Sequence, residues 1–135
     1  MNTYVLVYLL RNNLQRPSRQ EVGIATTKFL YDPWVESPHN PIIKASGTMD
    51  GANLVHASNP TFLVDADGKY RIYFKSMTDK YKPTQYREIS LAISDNIEGP
   101  YKIYKDSPLI SYTNRKLLSP HSQEVTSQNI PVLIP

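Results

Sequence analysis

A carboxylate, an imidazole and a carboxamide stand close together at Asp50, His56 and Asn59. Such groups can hydrogen-bond a hydroxylated ligand, and equally they serve as loop residues facing water. Few other positions are spaced for chemistry. The histidines His39, His56 and His121 show no pair at metal-ligand spacing, so no metal site is expected. There is no cysteine, which excludes thiolate ligands and disulfides. No serine or histidine falls in a nucleophile motif and no glycine-rich phosphate loop exists, so no cofactor is expected. Glu98 stands in Glu98-Gly99-Pro100 and reads as part of a turn. Glu124 is the only acidic residue of the tail, in a Ser/Gln-rich context without strand pattern. Arg11, Arg16 and Arg19 form the one loose basic cluster, beside Pro17 and Ser18, and read as a solvated loop rather than a nucleic-acid patch. Arg71 and Lys75, two turns of alternation apart on one strand, read as surface residues.

The elements that must position these groups are strands. The chain has 135 residues, 40% of them hydrophobic and 20% charged, which fits one folded domain with a modest core. Ten tyrosines and eleven prolines favour half-buried strands punctuated by turns. The apolar run Tyr4-Val5-Leu6-Val7-Tyr8-Leu9-Leu10 has no basic segment before it and no small-residue cleavage site after it. It is too short to span a bilayer, so it is expected to be a buried strand rather than a signal peptide or membrane anchor.

An internal repeat organises the pattern. Val22-Gly23-Ile24-Ala25-Thr26-Thr27 aligns with Ile89-Ser90-Leu91-Ala92-Ile93-Ser94, an offset of 67 positions from Val22 to Ile89. The same offset lays Asp32-Pro33-Trp34 on Gly99-Pro100-Tyr101 and Asn40-Pro41-Ile42-Ile43 on Ser107-Pro108-Leu109-Ile110. Continued backwards without a gap, it lays Tyr4-Val5-Leu6-Val7 on Arg71-Ile72-Tyr73-Phe74. The second copy predicts four antiparallel strands. The first begins at Asn59-Pro60, where proline is tolerated at a strand start. Asp67-Gly68 turns the chain into the second strand, 70–77, with Ile72 and Phe74 on one face and Tyr73 on the other. A polar loop over 78–87 with Pro83 precedes the third, in which Ile89, Leu91 and Ile93 alternate with small residues. Glu98-Gly99-Pro100 leads to an outer strand at 101–104. Four such strands make a propeller blade. The expected organisation is three strands of one blade and a linker over 1–46, a complete blade over 47–110, and an irregular tail over 111–135.

Asn59-Pro60, Asp67-Gly68-Lys69-Tyr70, Ile89-Ser90-Leu91-Ala92-Ile93-Ser94-Asp95 and Glu98-Gly99-Pro100-Tyr101 together resemble a blade of glycoside hydrolase family 43 and its five-bladed relatives. Gly23-Ile24-Ala25-Thr26-Thr27 and Asp32-Pro33-Trp34 echo the same phrases, so the resemblance covers 3–110. It implies an all-β partial five-bladed β-propeller of about one and a half blades, in which Trp34 and Tyr101 pack against the next blade. It implies hydrolysis of glycosidic bonds by paired carboxylates as the family activity. The base would lie on the first strand of the first blade and the acid on a third blade, and neither is found in this sequence. An aspartate that tunes the acid would occupy the position of Asn59, where asparagine cannot carry charge.

The expected function is therefore that of a glycoside hydrolase fragment, inactive alone, with no catalytic residue of its own. The alternative is a non-catalytic carbohydrate-binding propeller or pseudoenzyme. The expected partner is an oligo- or polysaccharide, touched by Asp50, His56 and Asn59 from a loop over 47–58 at the channel mouth. Neither nucleic acid nor a membrane is expected as a partner. A small β-sandwich unrelated to glycosidases is the third reading, against which the in-register repeat speaks. Exposed apolar faces and open strand edges predict self-association.

Overall fold

The computed structural model describes residues 2–13, 19–79 and 87–111. Arg16, Pro17, Ser18, Pro83 and the tail with His121 and Glu124 lie outside the described residues. Eight strands form two antiparallel sheets, and no α-helix occurs among the described residues. The first sheet has the order β1 (Tyr4–Asn12), β2 (Arg19–Thr27), β3 (Val35–Glu36). The second has the order β4 (Thr48–Met49), β5 (Ala52–Val64), β6 (Tyr70–Thr78), β7 (Glu88–Ser94), β8 (Lys102–Ile103).

The 67-residue repeat is built into the hydrogen bonds. Val22 bridges Ile43 as Ile89 bridges Ile110. Ala25 pairs with Glu36 as Ala92 pairs with Ile103. Each outer strand is only two residues long, because the chain leaves the ladder and returns to it further on. In the gap, a side chain takes the place of a strand. Asn40 accepts from Ile24 N at 2.9 Å and donates to Ile24 O at 3.0 Å. Ser107, its counterpart, accepts from Leu91 N at 3.1 Å and donates to Leu91 O at 3.3 Å. These bonds satisfy backbone groups that would otherwise be buried without partners.

The gapless offset fails at β1. Tyr4 pairs with Thr27, whereas Tyr70 pairs with Ser94, so the counterpart of Tyr4 is Tyr70, an offset of 66. The second unit carries one more residue in the connection to its third strand. A slip of one residue exchanges the faces of a strand, so Leu6 and Tyr8 correspond to Ile72 and Phe74. The pair Tyr8 and Gly23 shows why the small residue is needed. A Cβ on Gly23 would lie 2.8 Å from the Tyr8 ring, which crosses β2 to donate to Glu36 Oε1 at 2.6 Å. Burial, and after it the bond to Glu36, pushes the Tyr8 phenol up to about 12.

One core joins the sheets. Val22 and Ile24, with Val5 and Val7 beside them, face Ile72, Phe74, Ala92, Leu54 and Ala57. Ser37 Oγ donates to Glu98 O across the seam. Tyr101 is buried in this core, beside the 39–44 segment of the first unit, so it packs against the preceding unit rather than a following one. Trp34, its counterpart, is half-exposed. The apolar N-terminal run is a strand but not a buried one: Leu6 is 48% exposed, because nothing described covers that face.

Two further expectations are corrected. The stretch over 47–58 is not a loop. Asp50 and Gly51 have φ of 52° and 72° and close a tight β4–β5 hairpin of the kind that positive φ at both central positions permits. Pro60 does not begin its strand either, since β5 starts at Ala52. Pro60 sits at a register shift between Ser58 and Thr61, and a bulge tolerates the missing N–H.

Candidate functional site

The hairpin and the bulge decide where the three candidate residues go. Asp50 is exposed at the β4–β5 turn. Asn59 is exposed at the bulge with φ 49°, a left-handed conformation that asparagine adopts more readily than most residues. Its residue type is thus accounted for by the backbone. His56 alone turns into a cavity, and the structure does not gather the three into one pocket.

That cavity, of about 190 Å³, opens at the seam between the sheets. Arg11 of β1 and Gln20 of β2 reach it from the first sheet. His56 and Ser58 of β5, Lys75 and Met77 of β6, and Arg87 just before β7 reach it from the second. The local reasons are simple. Alternation along β6 puts Lys75 on the face opposite Phe74, and the register shifts of β5 set His56 against Met77 and Ser58 against Lys75. Ser76, also at the cavity wall, is held below it by a 2.7 Å hydrogen bond to Ser90 Oγ, which in turn donates to Met49 Sδ.

His56 is fixed across the seam. The backbone N–H of Gln20 donates to its Nδ1 at 3.1 Å, so the neutral ring carries its proton on Nε2. Burial first, then the charges of Arg87 and Arg19, lowers the pKa of the imidazole and favours that neutral form. Arg19 is itself tied down, donating to Ala45 O at 2.8 Å. The cavity therefore presents three cations, a neutral imidazole donor, a carboxamide and a hydroxyl.

Cations at the opposite end of the second sheet are treated differently. Lys69 pairs with Asp95 at 2.6 Å, and Arg71 spans Asp65 and Asp67 at 2.8 and 3.0 Å. The Arg71 guanidinium, with the Lys69 N–H, holds the Asp67 carboxyl down at about 2. Arg71 is thus a structural clamp on the β5–β6 turn, whereas Lys75 faces the cavity, where the sequence alone suggested surface for both.

No carboxylate lines the cavity among the described residues. No group of three metal-ligating side chains occurs among them. Arg11, Lys75 and Arg87 were not among the candidates from sequence. They lie 64 and 12 positions apart with no shared motif, and only the fold of two sheets brings them together. No family model matches the chain, and no curated protein is detectably similar to it.

Proposed function

We propose that the chain is part of a carbohydrate-active β-propeller of the glycosidase kind and supplies a sugar-binding wall rather than catalytic carboxylates. The observation that carries this reading is the way the two units meet. They share hydrogen bonds at the 67-residue offset, yet they pack through different faces. The first unit offers the side of Val7 and Ile24, and the second offers the side of Ile72, Phe74 and Ala92. Faces that differ cannot close a two-sheet sandwich by symmetry; repeated, they propagate around an axis. The face of Leu6 in the first unit is the counterpart of Ile72, which is fully buried, and it awaits the same cover. Polar side chains at the seam, with His56 among them, supply the donors that a sugar's hydroxyls and ring oxygen require.

Titration calorimetry against a panel of oligosaccharides, with reducing-end release followed on the same samples, tests the reading. Binding without hydrolysis is expected. Release of reducing ends by the purified chain would overturn the non-catalytic assignment, and the absence of any glycan binding would overturn the carbohydrate assignment.

A further inference from the structure

We propose that the seam cavity receives the anionic substituent of a sugar, a carboxylate or a sulfate ester, so that the glycan held here is acidic rather than neutral. This rests on the carbohydrate reading above and adds the charge of the ligand to it.

Three observations lead there. Arg11, Lys75 and Arg87 converge on one cavity from three separate segments and both sheets, and no acidic side chain among the described residues lines it. Lys69 and Arg71 are matched with carboxylates at the other end of the sheet, while none of the three cavity cations has an ion pair among the described residues. Like charges brought together without a counter-charge repel, and an anion that enters between them relieves the repulsion as it binds.

The neutral groups suit a sugar that carries the charge. His56, held by the Gln20 N–H, can direct its Nε2–H to an oxygen without adding a further full charge. Ser58 and the Gln20 side chain stand beside it at the cavity wall. At about 190 Å³ the space corresponds to about six water molecules, the scale of one substituted sugar ring. A nucleic-acid strand would call for a groove that tracks successive phosphates and for aromatic side chains on which bases stack, and among the described residues no aromatic side chain lines this cavity.

The test is calorimetry on the whole chain with an oligogalacturonate, the corresponding neutral galacto-oligosaccharide, a sulfated galactose, inorganic phosphate and a short single-stranded oligonucleotide. The uronate or the sulfated sugar is expected to bind at least about tenfold tighter than the neutral one, since charge-assisted hydrogen bonds are the strong ones. Which of the two anions binds tighter identifies the substituent. Lys75→Gln and Arg11→Gln are each expected to lose about tenfold, Lys75→Arg to retain affinity, and Lys105→Gln, away from the cavity, to change nothing; circular dichroism verifies that each variant is folded. Equal affinity for neutral and acidic sugars, unmoved by Lys75→Gln, overturns the acidic ligand and leaves the carbohydrate reading standing. Binding of phosphate or oligonucleotide alone, or of none of the probes, overturns both.

Discussion

Replacing Asn40 with alanine tests whether a side chain substitutes for a strand at the outer edge of each unit. The Asn40 carboxamide accepts from Ile24 N, donates to Ile24 O and donates to Tyr8 Oη at 3.1 Å. Ile24 is fully buried, so water cannot take over. Its carbonyl keeps a second donor, Ser37 N at 3.0 Å, but its N–H would be left without a partner. An orphaned buried N–H costs about 1–3 kcal/mol and each ordinary bond about 0.5–1.5 kcal/mol, which gives about 3 kcal/mol for the variant. For a chain of this size that is a fall in Tm of about 10 °C. Asn40→Ser installs the group that Ser107 uses at the same place in the second unit, and is expected to recover about half of the loss. Urea denaturation at protein concentrations low enough to suppress association measures both. A cost below about 0.5 kcal/mol for Asn40→Ala, or a serine variant no better than the alanine one, would refute the reasoning.

Self-association is expected through the uncovered face of the first unit, where Leu6 is 48% exposed and Trp34 36% exposed. Leu6→Glu together with Trp34→Ser should shift the chain towards monomer in sedimentation velocity, and an unchanged distribution would show that this face is not the contact. The imidazole of His56, lowered by burial, Arg87 and Arg19, should titrate by NMR with a midpoint below the ordinary 6.5. Because the folded state disfavours the proton, its contribution to stability is present above 6.5 and is lost as pH falls through the lowered value; His56→Gln should lack that component. A midpoint at or above 6.5 would contradict the burial and the two guanidinium charges.

Strand content and the repeat were legible because alternation and turn chemistry are local. Ile72 and Phe74 against Tyr73 fixed the faces of β6, and Asp67-Gly68 fixed its hairpin, with Gly68 at φ 78°. The β1 register was not legible in the same way. Val5 and Val7 look like Ile72 and Phe74 by type, and type alone favours the gapless offset. Pairing decides otherwise, since Tyr8 must lie over Gly23 as Phe74 lies over Ser90. The two alignments differ in which face meets the neighbouring unit. Val5 and Val7 do pack against the core, but from the other side of their sheet. Nor could sequence show that the outer strand is interrupted, because Asn40 and Ser107 share hydrogen-bonding capacity without sharing a residue type.

Of the three residues singled out from sequence only His56 reaches the seam cavity, and the reason lies in what each group needs from the fold. Asp50 and Asn59 stand where the backbone requires φ values of 52° and 49°, so turn and bulge geometry accounts for both before any ligand is invoked. A residue chosen by the backbone carries little information about chemistry. Arg11, Lys75 and Arg87 are the converse case. Nothing in local conformation asks for a cation at any of the three, and bringing them together opposes folding rather than assisting it. Lys69 and Arg71 show that the same sheet neutralises its charges where structure is the purpose. A cluster that the fold brings together without a neutralising partner among the described residues is therefore better explained by what could bind to it than by what holds it, and that asymmetry, rather than any motif, is what the acidic-glycan proposal rests on.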